Sequence, residues 1–434
     1  MQRIIGRAHV DAVLAETGHD KAFCKRLPSW FMVWFVIALG LFCTDCYRQI
    51  FRWLQSYRPG GIPGRSTLCE ARKRLGNRPF LALLKRVVCL LGKPETPGAF
   101  YRGMRLMGID GFVLDVADTP ANERAFGRPK SGRSQGAFPQ VRVLALCETG
   151  SHVIWRFLLK SISRSEISML PYLIEFLESN MLLLWDRGFL NYASVFQARA
   201  RNANLLVRIK SDRVFKPIQM LVDGSFLSKM YRSEADRRHD RNAIIVRIIE
   251  YTFTDENLPG AGEKHRLLTT LLDPQLDPAK TLICLYHERW EEELTFDEIK
   301  THQRERPVLR SQLPAGVIQE IYALLLGHYV IRVLMHEAAD KLQIDPDRIS
   351  FTATLNILRC RLPAIPVNPS QQYLKSWHHK LVQEVSEEVL PPRRHRINPR
   401  VIRVKMSKWP KKRSIHRTFS QPSSPFEQGI AMLH

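Results

Sequence analysis

The sequence predicts an α/β protein with a helical N-terminal region, and three observations carry that prediction. Residues 1 to about 100 place apolar residues at helical spacing, as in "RSTLCEARKRLG", where Leu68, Ala71 and Leu75 share one face. From about 101 the period becomes that of strands: "RLMGIDGFVLDVAD", "FPQVRVLALCE" and "HVIWRFLLK" are apolar runs separated by Gly and Pro turns. A helical stretch, "SMLPYLIEFLES", then precedes the wholly apolar run Met181–Trp185 and a second helical stretch, "NYASVFQARARN". The run Met181–Trp185 suits a central strand covered on both faces.

Each region adds detail. In "RSTLCEARKRLG", Thr67 is placed to cap a helix, with Glu70 reaching back to it. Gly76 suits a left-handed stop. Arg72, Lys73 and Arg74 lie toward the other side, either as a solvated basic face or as a DNA-contacting one. The preceding "GGIPGRST" fails the spacing of a phosphate-binding loop and has Arg65 where Lys is required.

Residues from roughly 205 to 280 are strand-like with polar turns and read as an all-β insertion. Helical patterns resume at about 278 and run through "GVIQEIYALLLGHYVIRVLMHEAADKL" to about 342. The division expected is 1–100, a helical DNA-binding domain; 101–342, a catalytic domain with its insertion; and 343–434, a helical region with a basic tail. From Arg393 to Arg417 there are eleven Lys or Arg and no acid, the composition of a polyanion-binding tail. The end, with "SQPSSP", reads as disordered.

The net charge is +23, which points to a polyanionic partner, with nucleic acid ahead of an anionic membrane surface. The most apolar run, Trp30–Cys43, has fourteen residues. That is short of the ~20 that span a bilayer, so a buried core helix is expected and no membrane partner. The N-terminus has no secretory apolar core. The eight cysteines are scattered without a second pair at zinc spacing, which fits a reducing cytoplasm.

Three places carry carboxylates with chemical potential. Asp110 interrupts an apolar strand, and a buried carboxylate needs a cation, a metal or hydrogen bonds. Asp115 and Asp118 compete with it, nearer the turn "DTPAN". Asp186 follows the buried strand and precedes a turn, so it is either a helix N-cap or a site residue. The third place is "LYHERWEEELTFDEIK", with six acids in sixteen residues. On one continuous α-helix, Tyr286, Arg289, Glu293 and Lys300 share a narrow face, while Glu291, Glu292 and Glu298 turn away toward solvent. Glu293 is then either an i,i+4 ion-pair partner of Arg289 or one of three acids in a two-metal site.

At this point the chain resembles the DDE transposases of the insertion-sequence-4 family. The signature Tyr, two residues, Arg, three residues, Glu, six residues, Lys is met at Tyr286, Arg289, Glu293 and Lys300. "IDGFVLDVADTPANERAFG" resembles the first-Asp block, with Phe112 where Thr is frequent, and "DRGF" resembles the second. "RSTLCEARKRLG" resembles the N-terminal domain, and "LRSQLPAGVIQEIYALLLGHYVIR" and "RINPRVIRVK" the C-terminal blocks.

The resemblance implies a ribonuclease-H-like core interrupted by a β insertion. It assigns the catalytic and metal-binding triad as Asp110, Asp186 and Glu293, with Mg²⁺ as cofactor and Mn²⁺ as a substitute. It implies cut-and-paste transposition on terminal inverted repeats and target DNA, a homodimer holding paired ends, and a nucleoid-associated cytoplasmic protein. Tyr286, Arg289 and Lys300 are expected on phosphates near the cut. Arg72, Arg74, Arg400, Arg403 and Lys405 are expected on DNA elsewhere. The alternatives are an inactive protein that still binds terminal repeats and a nuclease of the same fold.

Overall fold

Five helices open the chain in the computed structural model: α1 (Arg7–Glu16), α2 (Ser29–Leu41), α3 (Tyr47–Trp53), α4 (Arg65–Leu75) and α5 (Arg78–Val87). The structure describes residues 4–20, 26–54, 61–131, 134–210, 212–255, 261–287, 290–366, 369–391 and 425–433. Next come β1 (Phe100–Tyr101), β2 (Met104–Val116), α6 (Pro120–Phe126), β3 (Lys130–Ser131), β4 (Ser134–Gln135), β5 (Gln140–Glu148), β6 (Val153–Ser161) and α7 (Glu166–Ile174). They are followed by β7 (Met181–Trp185), α8 (Tyr192–Ala200), β8 (Asn204–Arg208), β9 (Gln219–Met220), β10 (Phe226–Met230), α9 (Glu234–Arg238), β11 (Ile244–Phe253), β12 (His265–Thr269) and α10 (Ala279–His287). Then follow α11 (Trp290–Asp297), a π-helical turn Glu298–Gln303, β13 (Val308–Leu309) and α12 (Pro314–Leu342). A 3₁₀ turn Pro346–Arg348, α13 (Phe351–Arg361), α14 (Gln371–Ser386), a 3₁₀ turn Phe426–Gly429 and β14 (Ile430–Met432) complete it.

These elements form two compact units, Met1–Phe176 with Trp290–Pro391, and Leu177–Arg289 with Pro392–His434. Neither expected boundary, at 100 or at 342, coincides with a boundary between them. The N-terminal helices share one core with β2, β5 and α12, because α2 is apolar on every side and needs partners all round. Eleven of its thirteen residues are buried, as the fourteen-residue limit requires of a core helix. It crosses α12 at Gly40, where a Cβ would stand 2.2 Å from the Ala323 carbonyl oxygen; only glycine permits that approach. α12 itself is long and apolar enough to cross a bilayer, but 94% of its most apolar window is buried inside the protein.

α4 shows where sequence logic held and where it failed. Leu68, Ala71 and Leu75 are buried, and Gly76 ends the helix at φ +62°. The helix starts at Arg65 behind Gly64, however, and Thr67 caps nothing. Glu70 instead pairs with Lys73 at 2.7 Å. The reading of Arg72 as a DNA contact is also corrected. Its guanidinium is buried and donates to Ser311 Oγ at 3.0 Å, the Gly316 carbonyl at 2.6 Å, Tyr47 and Gln319. Arg74, two residues on, is exposed. Arg72→Ala therefore lowers stability by about 3 kcal/mol or more, since several hydrogen bonds to one charge are lost and their partners stay buried. Arg74→Ala leaves the melting temperature unchanged, and thermal melts of the two variants read the difference.

In the first unit the strands run β6–β5–β2, all antiparallel, with β1 antiparallel and β13 parallel to β2. Phe112, Leu114 and Val116 alternate into the core. In the second unit β7 and β8 are parallel, and β8, β12, β11, β10 and β9 follow antiparallel. Residues 205–280 thus hold strands, but also the five-residue helix α9 and the start of α10. The fold is a mixed α/β sheet structure with many helices.

The disorder expected at the end of the chain is corrected for Pro425–Leu433. Those residues form a 3₁₀ turn and β14, which pairs with Tyr251–Phe253 of β11.

Candidate active site

Asp110 lies in mid-strand on β2, opposite Ala145 of β5. Its Oδ1 accepts from the Gly111 N–H at 2.7 Å, so the backbone sets the plane of the carboxylate. Gly111 leaves room beside it for the Glu166 carboxylate, which a Cβ there would meet at 2.5 Å. Glu166 is held in place by Arg142. The two competitors are engaged elsewhere. Asp115 accepts from Gln140 Nε2 at 2.7 Å, and Asp118 pairs with Arg128.

The helix-cap reading of Asp186 is excluded by the structure. The cap of α8 is Asn191, whose Oδ1 accepts from the Ser194 N–H at 2.9 Å. Asp186 instead accepts from the Arg187 N–H at 2.7 Å, directly beyond a strand whose five residues are all buried. The carboxyl ends of such parallel strands are where open α/β sheets bind ligands.

Tyr286, in the last turn of α10, is buried, and its hydroxyl donates to the Trp185 carbonyl at 3.0 Å. The expectation that this hydroxyl is presented to DNA is corrected. Its hydrogen is committed to the main chain immediately before Asp186. Arg289 lies outside the described residues, as do Arg400, Arg403 and Lys405.

Glu293 is half-buried on α11. Three residues on, Phe296 packs against Phe112 of β2 with ring centroids 4.7 Å apart. Phe112 is two residues from Asp110 and therefore on the same face of the strand. This aromatic contact is the use found for Phe112, where the resemblance leads one to expect Thr.

The single helix face predicted for Tyr286, Arg289, Glu293 and Lys300 is altered at its Lys300 end. From Glu298 the helix that carries Glu293 widens into a π-helical turn that contains Lys300. Hydrogen bonding to the fifth residue shifts the angular register, so Lys300 no longer sits seven α-helical residues beyond Glu293. Lys300 is half-buried.

Glu298 is the main correction. Expected in solvent, it is buried among three cationic or polar partners: Arg332 Nε donates to Oε2 at 2.9 Å, His328 Nε2 stands 2.9 Å from Oε2, and His152 Nδ1 3.1 Å from Oε1. His152 Nε2 stands 3.1 Å from Asp347 Oδ1. Burial raises the cost of charge on Glu298, but Arg332 and His152 outweigh it and hold the carboxyl well below its usual range. Burial and Arg332 likewise disfavour the His152 imidazolium, but Asp347 and Glu298 prevail and push it up to about 10. His152 is held at φ +56°, a left-handed conformation rare for a side-chain-bearing residue. At the far end of the π turn, Gln303 donates to the carbonyls of Gly40 at 2.8 Å and Leu324 at 2.9 Å. A signal for this network was present in the sequence: His328 and Arg332, four apart, interrupt the apolar run of α12 and require a buried partner.

Among the described residues, no three His, Cys, Asp or Glu side chains stand together as a preformed metal cage. Each of Asp110, Asp186 and Glu293 offers only hard oxygen donors, the kind that a divalent cation takes in small number together with water and phosphate.

Residues 102–330 match the family model of the transposase DDE domain, and residues 1–85 that of the insertion element 4 transposase N-terminal region. The first covers more than half of the chain, which belongs to the DDE transposases of the insertion-sequence-4 family. Among its relatives is the transposase InsG for insertion sequence element IS4 from Escherichia coli (strain K12), 28% identical over 411 residues, 92% of this chain and 91% of that protein. The putative transposase InsZ of the same organism is 24% identical over 177 residues, 41% of this chain and 59% of that protein. A cryo-EM structure of the piggyBac transposase synaptic complex with hairpin DNA aligns with a TM-score of 0.40 at 11% identity, over 89% of this chain and 82% of that one. The chain is therefore an enzyme of the DDE transposase type, a class that generally uses divalent metal ions.

Proposed function

We propose that this transposase works by cut and paste, with Asp110, Asp186 and Glu293 as the carboxylates that hold its metal ions, Mg²⁺ by preference and Mn²⁺ as a substitute. The observation that carries the assignment is the position of Asp186: beyond the carboxyl end of a fully buried parallel strand, oriented by its own backbone and relieved of any capping duty. When bound, the ions activate the attacking oxygen and stabilise the leaving one. First-strand cutting adds water across a phosphodiester at the transposon end and releases a 3′-hydroxyl. Strand transfer then exchanges one phosphodiester for another, with that hydroxyl as nucleophile on target DNA.

The chain's own residues prepare this chemistry. Tyr286 fixes the main chain ahead of Asp186. Arg289 and Lys300 meet phosphates near the cut, and Arg74, Arg400, Arg403 and Lys405 grip DNA elsewhere. A ribonuclease-H-like core with strands 205–280 as its insertion, and a homodimer that pairs two ends, complete the reading. Purified protein, terminal-repeat DNA and Mg²⁺ or Mn²⁺ test it: nicking at the repeat ends supports it, and binding without any nick sinks it.

The basic segment gives a separate expectation. Affinity for non-specific duplex falls roughly a thousandfold or more between ~50 and ~200 mM salt, as release of counterions from several phosphates requires. A flat salt response removes Arg400, Arg403 and Lys405 from the interface.

A further inference from the structure

The C-terminal residues Pro425–Leu433 are built into the second unit beside the residues that orient Asp186. β11 is shared among three partners. β10 pairs with Ile244–Ile248, β12 with Arg247–Tyr251 and β14 with Tyr251–Phe253. Tyr251 faces His265 on one side and Met432 on the other, so β14 continues the sheet where β10 stops. Main-chain bonds extend the join at both ends, from Thr254 N to the Gly429 carbonyl at 2.9 Å and from Leu433 N to the Glu250 carbonyl at 3.1 Å.

The 3₁₀ turn ahead of this strand delivers one aromatic ring to α10. Phe426 is buried, and its ring meets that of His287 edge-on at 4.4 Å. Phe253 closes the cluster, 5.5 Å from Phe426 and 5.8 Å from His287. His287 directly follows Tyr286, whose hydroxyl holds the Trp185 carbonyl ahead of Asp186. Two consecutive residues at the end of α10 are thus fixed from two sides, Tyr286 by β7 and His287 by the C-terminal segment.

We infer that Phe426, carried on the 3₁₀ turn that leads into β14, is a positioning residue for strand cutting: through His287 it holds this stretch of α10 so that Tyr286 orients the backbone before Asp186. The inference rests on the assignment of Asp186 proposed above. No covalent role is implied, and Phe426 touches no reacting atom. A displacement of the order of 1 Å in a positioned group can cost a hundredfold in rate.

The test uses the full chain. Phe426→Ala, Phe426→Leu and, on the exposed neighbour, Glu427→Gln are compared for terminal-repeat affinity, cutting rate at saturating DNA, and melting temperature. Phe426→Ala is expected to slow cutting by roughly ten- to a hundredfold with affinity unchanged. Phe426→Leu restores most of the rate, and Glu427→Gln matches the parent. The double variant with Tyr286→Phe loses less than the product of the two single losses, because both act on the same turn. Cutting at the parent rate by Phe426→Ala overturns the inference. So does a loss of rate and affinity together with full multiplicativity in the double variant, which marks general destabilisation. If Phe426→Ala does not fold, Phe426→Leu combined with Tyr286→Phe supplies the same cycle. Asp186→Asn in the same assay separates the two levels: if it cuts like the parent, the site assignment fails, whatever Phe426 does.

Discussion

Glu293→Gln abolishes cutting at the transposon end, by roughly three orders of magnitude or more, while terminal-repeat binding stays within a few fold of the parent. The substitution keeps the shape of the side chain and removes only the charge that a divalent ion needs. Glu293 is half-buried on α11, and the packing of that helix against β2 rests on Phe296 and Phe112, so its loss need not unfold anything. Asp110→Asn and Asp186→Asn carry the same expectation. Asp115→Asn serves as the contrast, because Asp115 is engaged with Gln140. Gel assays of binding and nicking on one labelled end measure both quantities. Appreciable cutting by Glu293→Gln would remove it from the metal site.

The second large effect falls on stability. Glu298→Ala costs roughly 3–5 kcal/mol, because it leaves the Arg332 and His152 charges buried without their counter-charge. The pH dependence follows from the two shifts, which act on opposite flanks. His152 is raised from 6.5 to about 10, so its contribution is complete below the unfolded value and is lost as pH climbs from about 6.5 towards 10. Glu298 is depressed, so its contribution is present above the ordinary carboxylate range and is lost as pH falls through its lowered folded value. Urea midpoints of the parent should therefore decline between pH 7 and pH 10. His152→Gln flattens that decline. An equally steep slope in His152→Gln would place the titrating group elsewhere.

The relation between these two glutamates bears on function. Glu298 opens the π-helical turn five residues beyond Glu293, and the buried network anchors that turn to α12 and to the β5–β6 connection. A π-helical turn is an uncommon geometry that recurs at functional sites. Here it redirects Lys300 away from the line a continuous α-helix would give it.

Much of this was legible in the chain. The apolar periods located α4, α12 and the buried strand β7, because burial repeats with the period of the backbone. The Tyr286–Lys300 spacing pointed to the family; Asp110 stood out as a charge within a strand, where charge is costly, and Asp186 as one just beyond a buried strand. Side-chain commitments were not legible. Arg72 and Glu298 carry the composition of a surface, and their burial depends on Gln319, Ser311, His152 and Arg332, which lie far from them in sequence. Nor does local spacing show where an α-helix widens, since the π turn depends on packing against α2 and α12.

The sequence by itself determined the class of elements, the buried helix Ser29–Leu41, the net charge of +23 that calls for a polyanion, and the spacing from Tyr286 to Lys300 through which the family is recognised. Only the tertiary structure decided which polar groups are spent on holding the fold. It committed the Tyr286 hydroxyl to Trp185, assigned the cap of α8 to Asn191 rather than Asp186, and enclosed Glu298. The physical reason is the same in each case: a hydrogen-bonding group buried away from water must find its partner wherever the fold brings one, and that partner is seldom a neighbour in the chain.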